Sequence, residues 1–295
     1  MKSKTTKAAG KASLDPLVGR FWSRMMDLDT IICGDNATVM ATWPDACIDL
    51  VVTSPPYDNA RKYGGHGWDF DAVRREITRT LKPGGVCVWV VADKTTDGTE
   101  SGSSFRQALA FKDGGLNIHD TMIYAKETIP LNSNRYQQAF DFMFVFSKGK
   151  PNTFNPIMMP CRGGGGGRTN SQRDVFGVFK RRSNQRTNAE RMSDNVWFYH
   201  VNGMYGCTRD AFAYDHPAMF HEQMAADHIL TWSNPGDVVL DPFAGSGTTL
   251  KLAKGHGRRW IGIEVNPSYV EICWKRVAQG ILPLVPNAES EARHG

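Results

Sequence analysis

Short apolar runs alternate with amphipathic stretches along most of the chain. IDLVVT, residues 48–53, reads as a buried strand. After it, DFDAVRREITRTL sets Phe70, Val73, Ile77 and Leu81 along one helical face, and KPGG reads as the stop. VCVWVV is a strand, SSFRQALAFKDGG a helix with a glycine exit, LNIHDTMIYAK a strand, and FDFMFVFSKGK a long strand ending in a turn. The strands are continuously apolar instead of alternating, which predicts burial on both faces. A mostly parallel sheet covered by helices is the architecture this implies.

The alternation lapses from Pro151 to about Tyr214, where Gly, Arg, Asn and Ser dominate and only VFGVF and VWFYHV are apolar. It then resumes: HEQMAADHILTW as a helix, VVLD as a strand, GTTLKLAKGHG as a helix, WIGIEV as a strand and PSYVEICWKRVAQG as a closing helix. This divides the chain into a lysine-bearing tail over 1–30, one half of an α/β domain over 31–150, an inserted recognition region over 151–214, and the second half over 215–295. We expect the tail, MKSKTTKAAGKAS onward, to be disordered because it offers nothing apolar to dock.

A chain of 295 residues with 41% apolar content buries a core of domain size. No apolar run reaches the roughly 18 residues that a membrane span requires, and no signal-peptide pattern opens the chain, so we expect a soluble, intracellular protein. The six cysteines are scattered and form no CxxC pair, so neither a disulfide framework nor a zinc site is expected. His216, His221 and His228 lie close in sequence, but no cysteine or carboxylate completes a metal set. The formal charge of +5 matters less than its placement. Arg168, Arg173, Lys180, Arg181, Arg182, Arg186 and Arg191 crowd one stretch with few acids, an electrostatic footprint for a polyanion. A solvated loop is the competing reading.

DPFAGSGTTL, residues 241–250, carries the first chemistry. A buried strand runs into a glycine-containing turn that opens a helix, the geometry that brings a ligand against backbone amides. It is not a P-loop, because the Lys-Ser/Thr pair is missing at the required spacing, and it lacks the full GxGxxG. Glu264 closes the next strand about 20 residues on, where an acid can bind ribose hydroxyls. A nucleoside cofactor without a pyrophosphate fits, and S-adenosylmethionine is the candidate.

TSPPY, residues 53–57, carries the second. Together, TSPPY and DPFAGSGTT resemble motifs IV and I of the DNA amino-methyltransferases, in the order of that family's β class, over roughly Ile31 to Ala278. HPAMFHEQMAADHIL resembles motif X, with His221 where proline is common, and the GD of IICGDNA resembles the acidic position that meets the cofactor adenine. The resemblance implies a Rossmann-like fold with a mostly parallel seven-stranded sheet, and S-adenosylmethionine as methyl donor. It assigns cofactor contacts to Asp35, Thr53, Asp241, Pro242, Phe243, Ala244, Gly245, Ser246, Gly247, Thr248, Thr249 and Glu264. It assigns the reacting site to Ser54, Pro55, Pro56 and Tyr57. No metal is implied.

Exocyclic amines of bases are poor nucleophiles, because the lone pair is delocalised into the ring. In this reading Ser54 Oγ and the Pro55 carbonyl accept the two amine hydrogens and localise that pair, while the prolines stiffen the backbone that presents them. Tyr57 stacks on a base flipped out of duplex DNA. Arg61, Arg168, Arg173, Lys180, Arg181, Arg182 and Arg186 are the candidate DNA contacts. Within the family, serine before PPY accompanies cytosine N4 methylation, whereas the wider likeness to orphan and phage-type enzymes favours adenine N6. We expect adenine, with cytosine as the alternative. A silent cofactor-responsive nucleic-acid binder and methylation of RNA or protein stay open as other classes. The resemblance also implies a homodimer.

Overall fold

A computed structural model of the chain describes residues 26–57, 67–126, 135–136, 138–161, 167–168, 171–173, 179–181, 185–186, 189–199, 208, 210 and 220–279. Its elements run β1 (Thr30–Cys33), α1 (Asn36–Met40), β2 (Ile48–Thr53), α2 (Phe70–Thr80), β3 (Leu81–Val91), α3 (Ser103–Asp113), β4 (Asn117–Ala125), β5 (Phe140–Ser147), β6 (Val196–Phe198), α4 (Glu222–Trp232), β7 (Val238–Asp241), α5 (Thr248–Gly255), β8 (Arg259–Glu264) and α6 (Pro267–Ala278). These strands form one sheet in the order β1-β8-β7-β2-β3-β5-β4-β6. Neighbours are parallel except around β5, which runs antiparallel to both β3 and β4.

The alternation of side chains along each strand sorts the core into two layers. Leu50, Val52, Val86, Val88, Val90, Met143 and Val145 share a cluster with Met224, Ala225 and Ile229 of α4, Leu250 of α5 and Val277 of α6. Val51, Cys87, Trp89, Phe144 and Phe146 share the other with Val73 and Ile77 of α2 and Phe111 of α3. Caps start the helices where expected. Asp69 accepts from Ala72 N at 3.0 Å ahead of α2, and Asn266 accepts from Ser268 N ahead of α6, with proline at its first turn.

Three features differ from the sequence reading. Among the described residues the sheet has eight strands, not seven: β6 pairs in parallel with β4, Trp197 opposite Tyr124. As an edge strand it buries Trp197 but leaves Val196 and Phe198 exposed, so three residues of mixed exposure carried too little pattern to be read as a sheet strand. α2 ends at Thr80, just before KPGG as read, but Lys82–Gly85 also belongs to β3, where its register with β2 shifts between the Ile48–Leu81 and Leu50–Val86 pairs. Gly84, at φ 80°, lets Asn152 pack where a Cβ would stand. The stretch 151–214, where the alternation lapses, carries short strand pairs that its composition does not announce. Met158–Pro160 pairs with Glu190–Met192, Gly167–Arg168 with Gln185–Arg186, and Ser171–Arg173 with Phe179–Arg181, each antiparallel and nested inside the one before.

Packing begins ahead of β1, where Met26 is buried and Asp29 Oδ2 accepts from Arg259 Nε at 2.6 Å. The lysine-bearing stretch before it lies outside the described residues. Among those described, no helix is long and apolar enough to cross a membrane.

Candidate active site

A cavity of about 320 Å³ opens at the carboxyl ends of the parallel strands, and both sequence motifs line it. Ser54, Pro55, Pro56 and Tyr57 follow β2; Asp241 ends β7 and Pro242 to Ser246 follow it; Glu264 ends β8 and Val265 and Asn266 follow it; Gly34, Asp35 and Asn36 follow β1. Ligands of open α/β sheets bind at this end of the strands, where successive connections leave to opposite faces.

Two side chains fasten the motifs to each other from behind. Thr53 Oγ1 donates to Asp241 Oδ1 at 2.6 Å, and Thr249 Oγ1 donates to Val52 O at 3.2 Å, both fully within the core. Neither threonine lines the cavity; Thr53 ties the end of β2 to the end of β7, and Thr249 ties α5 to β2, so that the turns after both strands face one space. Asp241 also accepts from Phe243 N at 3.1 Å, shaping the turn. Burial pushes its carboxyl up to about 6, against the opposing hydrogen bonds from Thr53 Oγ1 and Phe243 N.

The two glycines of the turn divide their work. Gly247, at φ 81°, precedes the first turn of α5, and a Cβ there would stand 2.9 Å from Cys273 Sγ, so it serves the packing of α6 and does not line the cavity. Gly245, at φ 51°, does line it. Its N–H donates to Glu264 Oε2 at 2.9 Å, and Asn266 N donates to Oε1 at 2.9 Å. The Glu264 carboxylate is thus fixed at the cavity wall by two backbone donors, and a carboxylate has acceptor capacity beyond two such bonds for a ligand hydroxyl. Asp35 caps α1, accepting from Thr38 N and Oγ1 at 2.8 and 2.7 Å. Asn36 Nδ2 donates to Pro242 O at 3.0 Å, tying α1 to the Asp-Pro-Phe turn.

On the facing wall, Ser54 Oγ donates to Tyr57 Oη at 2.9 Å. Trp68 stands edge-on to Phe243, ring centroids 4.9 Å apart, and both border the cavity. The far end holds groups the sequence reading did not single out: Val90, Tyr124, Lys126, Asp141, Phe220 and Met224. Lys126 Nζ donates to Asp141 Oδ1 at 2.6 Å. Nothing in the local sequence marks this pair, which forms only because β4 and β5 run antiparallel. His221 also lines the cavity, while His228 is buried against Met143, its pKa pushed down to about 3 by burial. Among the described residues no group of three metal-ligating side chains is gathered.

Behind the glycine turn lies a charged cluster. Arg276, wholly buried on α6, donates to Ser246 Oγ at 2.7 Å, Thr248 Oγ1 at 2.8 Å, Glu222 Oε1 at 2.7 Å and Asp210 Oδ2 at 2.9 Å. Lys251 Nζ joins both carboxylates, at 2.7 Å to Asp210 and 3.1 Å to Glu222. These pairs hold both carboxyl groups below their ordinary values, against the opposing effect of burial.

Of the DNA contacts read from the sequence, Arg61 and Arg182 lie outside the described residues. Arg168, Arg173, Lys180, Arg181 and Arg186 occupy the nested strands, and their side chains lie outside the description.

The family described as DNA methylase matches residues 48–275. The chain is 44% identical over 247 residues to orphan methyltransferase M.BamHII of Bacillus amyloliquefaciens, covering 81% of this chain and 91% of that one. It is 29% identical over 262 residues to DNA adenine methyltransferase YhdJ of Escherichia coli strain K12, covering 84% and 82%. TTHA0409 of Thermus thermophilus, described as a candidate DNA modification methylase and solved in complex with S-adenosyl-L-methionine, superposes at a TM-score of 0.56 and 26% identity, covering 84% and 94% of the two chains. PvuII DNA methyltransferase, cytosine-N4-specific, superposes at a TM-score of 0.59 and 21% identity over 86% and 87%, a likeness of fold alone.

Proposed function

This chain belongs to the N6/N4 DNA methylase family, and from that premise we propose that it moves a methyl group from S-adenosylmethionine to the exocyclic amine of a flipped base in duplex DNA. One observation carries the reading: a single cavity is walled on one side by Ser54 to Tyr57 and on the other by the Asp241–Ser246 turn with Glu264.

The residues fit the cofactor. Glu264, held by Gly245 N and Asn266 N, offers acceptor oxygens to a ribose diol. Pro242, Phe243, Ile263 and Val265 give the lining an apolar part against which a planar ring can pack, and Asp35 lines the same cavity. The bound cofactor supplies an electrophilic methyl group on a sulfonium.

What the chain itself contributes is position. The Ser54 hydroxyl hydrogen goes to Tyr57, so Oγ faces the cavity as an acceptor for one amine hydrogen. The Pro55 carbonyl accepts the other, on a backbone stiffened by two prolines. With both hydrogens held, the amine lone pair would face the bound cofactor's methyl group, so that the N–C bond would form as the sulfonium's S–C bond breaks and the amine gives up one proton, with no covalent enzyme intermediate. The target base in this reading is adenine, at N6. The 29% identity to an enzyme named as an adenine methyltransferase supports it. Serine before PPY is what favours cytosine N4 as the second reading.

The strand-borne cations Arg168, Arg173, Lys180, Arg181 and Arg186, with Arg61 and Arg182, are proposed as phosphate contacts, and a homodimer as the form that meets palindromic sites. The test is incubation of mixed-sequence duplex DNA with protein and isotopically labelled S-adenosylmethionine, followed by mass spectrometry of the nucleosides. Label in N6-methyladenine is expected. Label in N4-methylcytosine replaces adenine by cytosine, and no label in DNA overturns the reading.

A further inference from the structure

Across the sheet from Ser54, the same cavity ends on a charged pair that the methyl transfer itself does not use. Asp141 is buried at the start of β5 and Lys126 lies just past the end of β4, where its N–H donates to Ala139 O at 2.8 Å. Asp141 pairs in register with Tyr124, two residues before Lys126, so both groups belong to the layer of Val90, Tyr124 and Met143 that faces α4.

The sheet order sets the separation. From β2, which ends beside Ser54, to β5, which carries Asp141, there are two strand spacings, roughly 10 Å. That is a distance between backbones, so the Ser54 hydroxyl and the Lys126 ammonium, reaching in from the two sides, can meet neighbouring positions on one edge of a base, each at about 3 Å. Val90, on the intervening β3, supplies an apolar surface between the two polar ends. Asp141 Oδ1 takes one of the three donors of the Lys126 ammonium, and the lysine side chain is 31% exposed toward the cavity it lines.

We infer that the Lys126–Asp141 pair reads the target base: Asp141 fixes Lys126, whose ammonium donates to the in-plane ring acceptor beside the amine held at Ser54. This rests on the methyltransferase reading and deepens it. Both candidate bases carry such an acceptor, a ring nitrogen next to the aminated carbon, so the pair discriminates bases with an acceptor there from those with an N–H, which would set donor against donor. Burial of Asp141 gives the ammonium its direction. A lysine on an exposed stem without that partner would have many rotamers to lose.

The test uses the full chain and labelled S-adenosylmethionine, with kinetics on DNA and cofactor affinity measured separately. Wild-type incorporation is measured first, and its absence would sink the methyltransferase reading itself. Given wild-type activity, Lys126→Met is expected to lower kcat/KM for DNA about 10- to 100-fold while cofactor affinity stays within about twofold. Lys126→Arg should restore part of the loss. Asp141→Asn, which keeps the shape, guards against a Lys126 variant that fails to fold, and should weaken kcat/KM for DNA in the same direction. A fall in cofactor affinity with unchanged use of DNA would overturn the proposal, by moving the ammonium to the cofactor's carboxylate. Unchanged kinetics in both variants would overturn it as well.

Discussion

The Ser54 hydroxyl donates to the phenol oxygen of Tyr57 across 2.9 Å, so two residues three apart on one turn form a preset unit. With its hydrogen committed, Ser54 Oγ meets an incoming amine only as an acceptor. Ser54→Ala is therefore expected to cut kcat by about 100- to 1000-fold, the range for loss of one preorganised hydrogen-bonding group, with cofactor affinity nearly unchanged. Tyr57→Phe frees the serine hydroxyl but keeps the ring, and should cost less than Tyr57→Ala, which also forfeits about 1 to 3 kcal/mol of base stacking. Steady-state kinetics on DNA check the order; wild-type turnover in Ser54→Ala would remove the serine from the mechanism.

Glu264 yields a less intuitive prediction. Both of its oxygens accept backbone N–H groups, from Gly245 and Asn266. Glu264→Gln, ordinarily the mild substitution, sets an amide N–H against one of those donors. It should weaken cofactor binding as strongly as Glu264→Ala, each on the order of 10- to 100-fold. Calorimetric titration with S-adenosylmethionine decides, and a glutamine variant that binds like the wild type would mean the carboxylate acts by charge alone.

How far the sequence reaches is clearest at these same residues. The turns after β2 and β7 were legible, because a buried strand ending in TSPPY or DPFAGSG leaves few options for the backbone. Their meeting was legible through family order, but the fastening was not. Thr53 reads as a cofactor contact, whereas it is spent on Asp241, and Gly247 reads as a ligand approach, whereas it clears Cys273. Lys126 and Asp141 were invisible, since their pairing depends on one antiparallel strand in an otherwise parallel sheet. β1 and α1 were missed: β1 buries only Ile31 and lacks the wholly buried run that marks the equally short β7, and the five residues of α1 are too few to show a period. The elements that carried long apolar runs were found; those made by tertiary pairing were not.

Asp241 makes stability pH-dependent in a specific direction. Its carboxyl titrates near 6 in the folded chain, against an ordinary 3.8, because burial opposes the charge. Between those values the folded state holds a proton that the unfolded state has lost, so stability falls as pH rises through this window, by on the order of 3 kcal/mol in all. Asp241→Asn keeps an acceptor for Thr53 and abolishes the titration. Between about pH 4 and 7 the melting temperature of the wild type should therefore drop relative to that of the variant. A constant difference across the range would mean that Asp241 does not change charge there.

The basic strands predict a salt effect. Arg181 lies opposite Ser171 in the innermost strand pair, one residue from Arg182. If both meet phosphates, Arg181→Ala with Arg182→Ala should lower DNA affinity and make the slope of log K against log salt shallower by about 2, near 0.9 for each phosphate no longer neutralised. Binding isotherms at several salt concentrations measure it. An unchanged slope would return these cations to solvent.

Arg276 joins stability to cofactor binding in one residue. It is wholly buried, and its guanidinium bridges Asp210 and Glu222 on one side and Ser246 and Thr248 of the glycine turn on the other. With Lys251 the cluster balances two cations against two carboxylates. Arg276→Met leaves one buried carboxylate in excess, which costs on the order of 3 to 5 kcal/mol, and unfastens the turn, so cofactor KM should rise as well. Adding Asp210→Asn removes the excess charge. The double variant should then be more stable than the sum of the two single effects by at least about 1 kcal/mol, while the cofactor KM stays high because Ser246 and Thr248 still lack their donor. Denaturant titration with cofactor kinetics on all three variants separates the two roles. Strict additivity would mean that Asp210 and Arg276 stabilise the fold independently, and a normal KM in Arg276→Met would confine the arginine to the core.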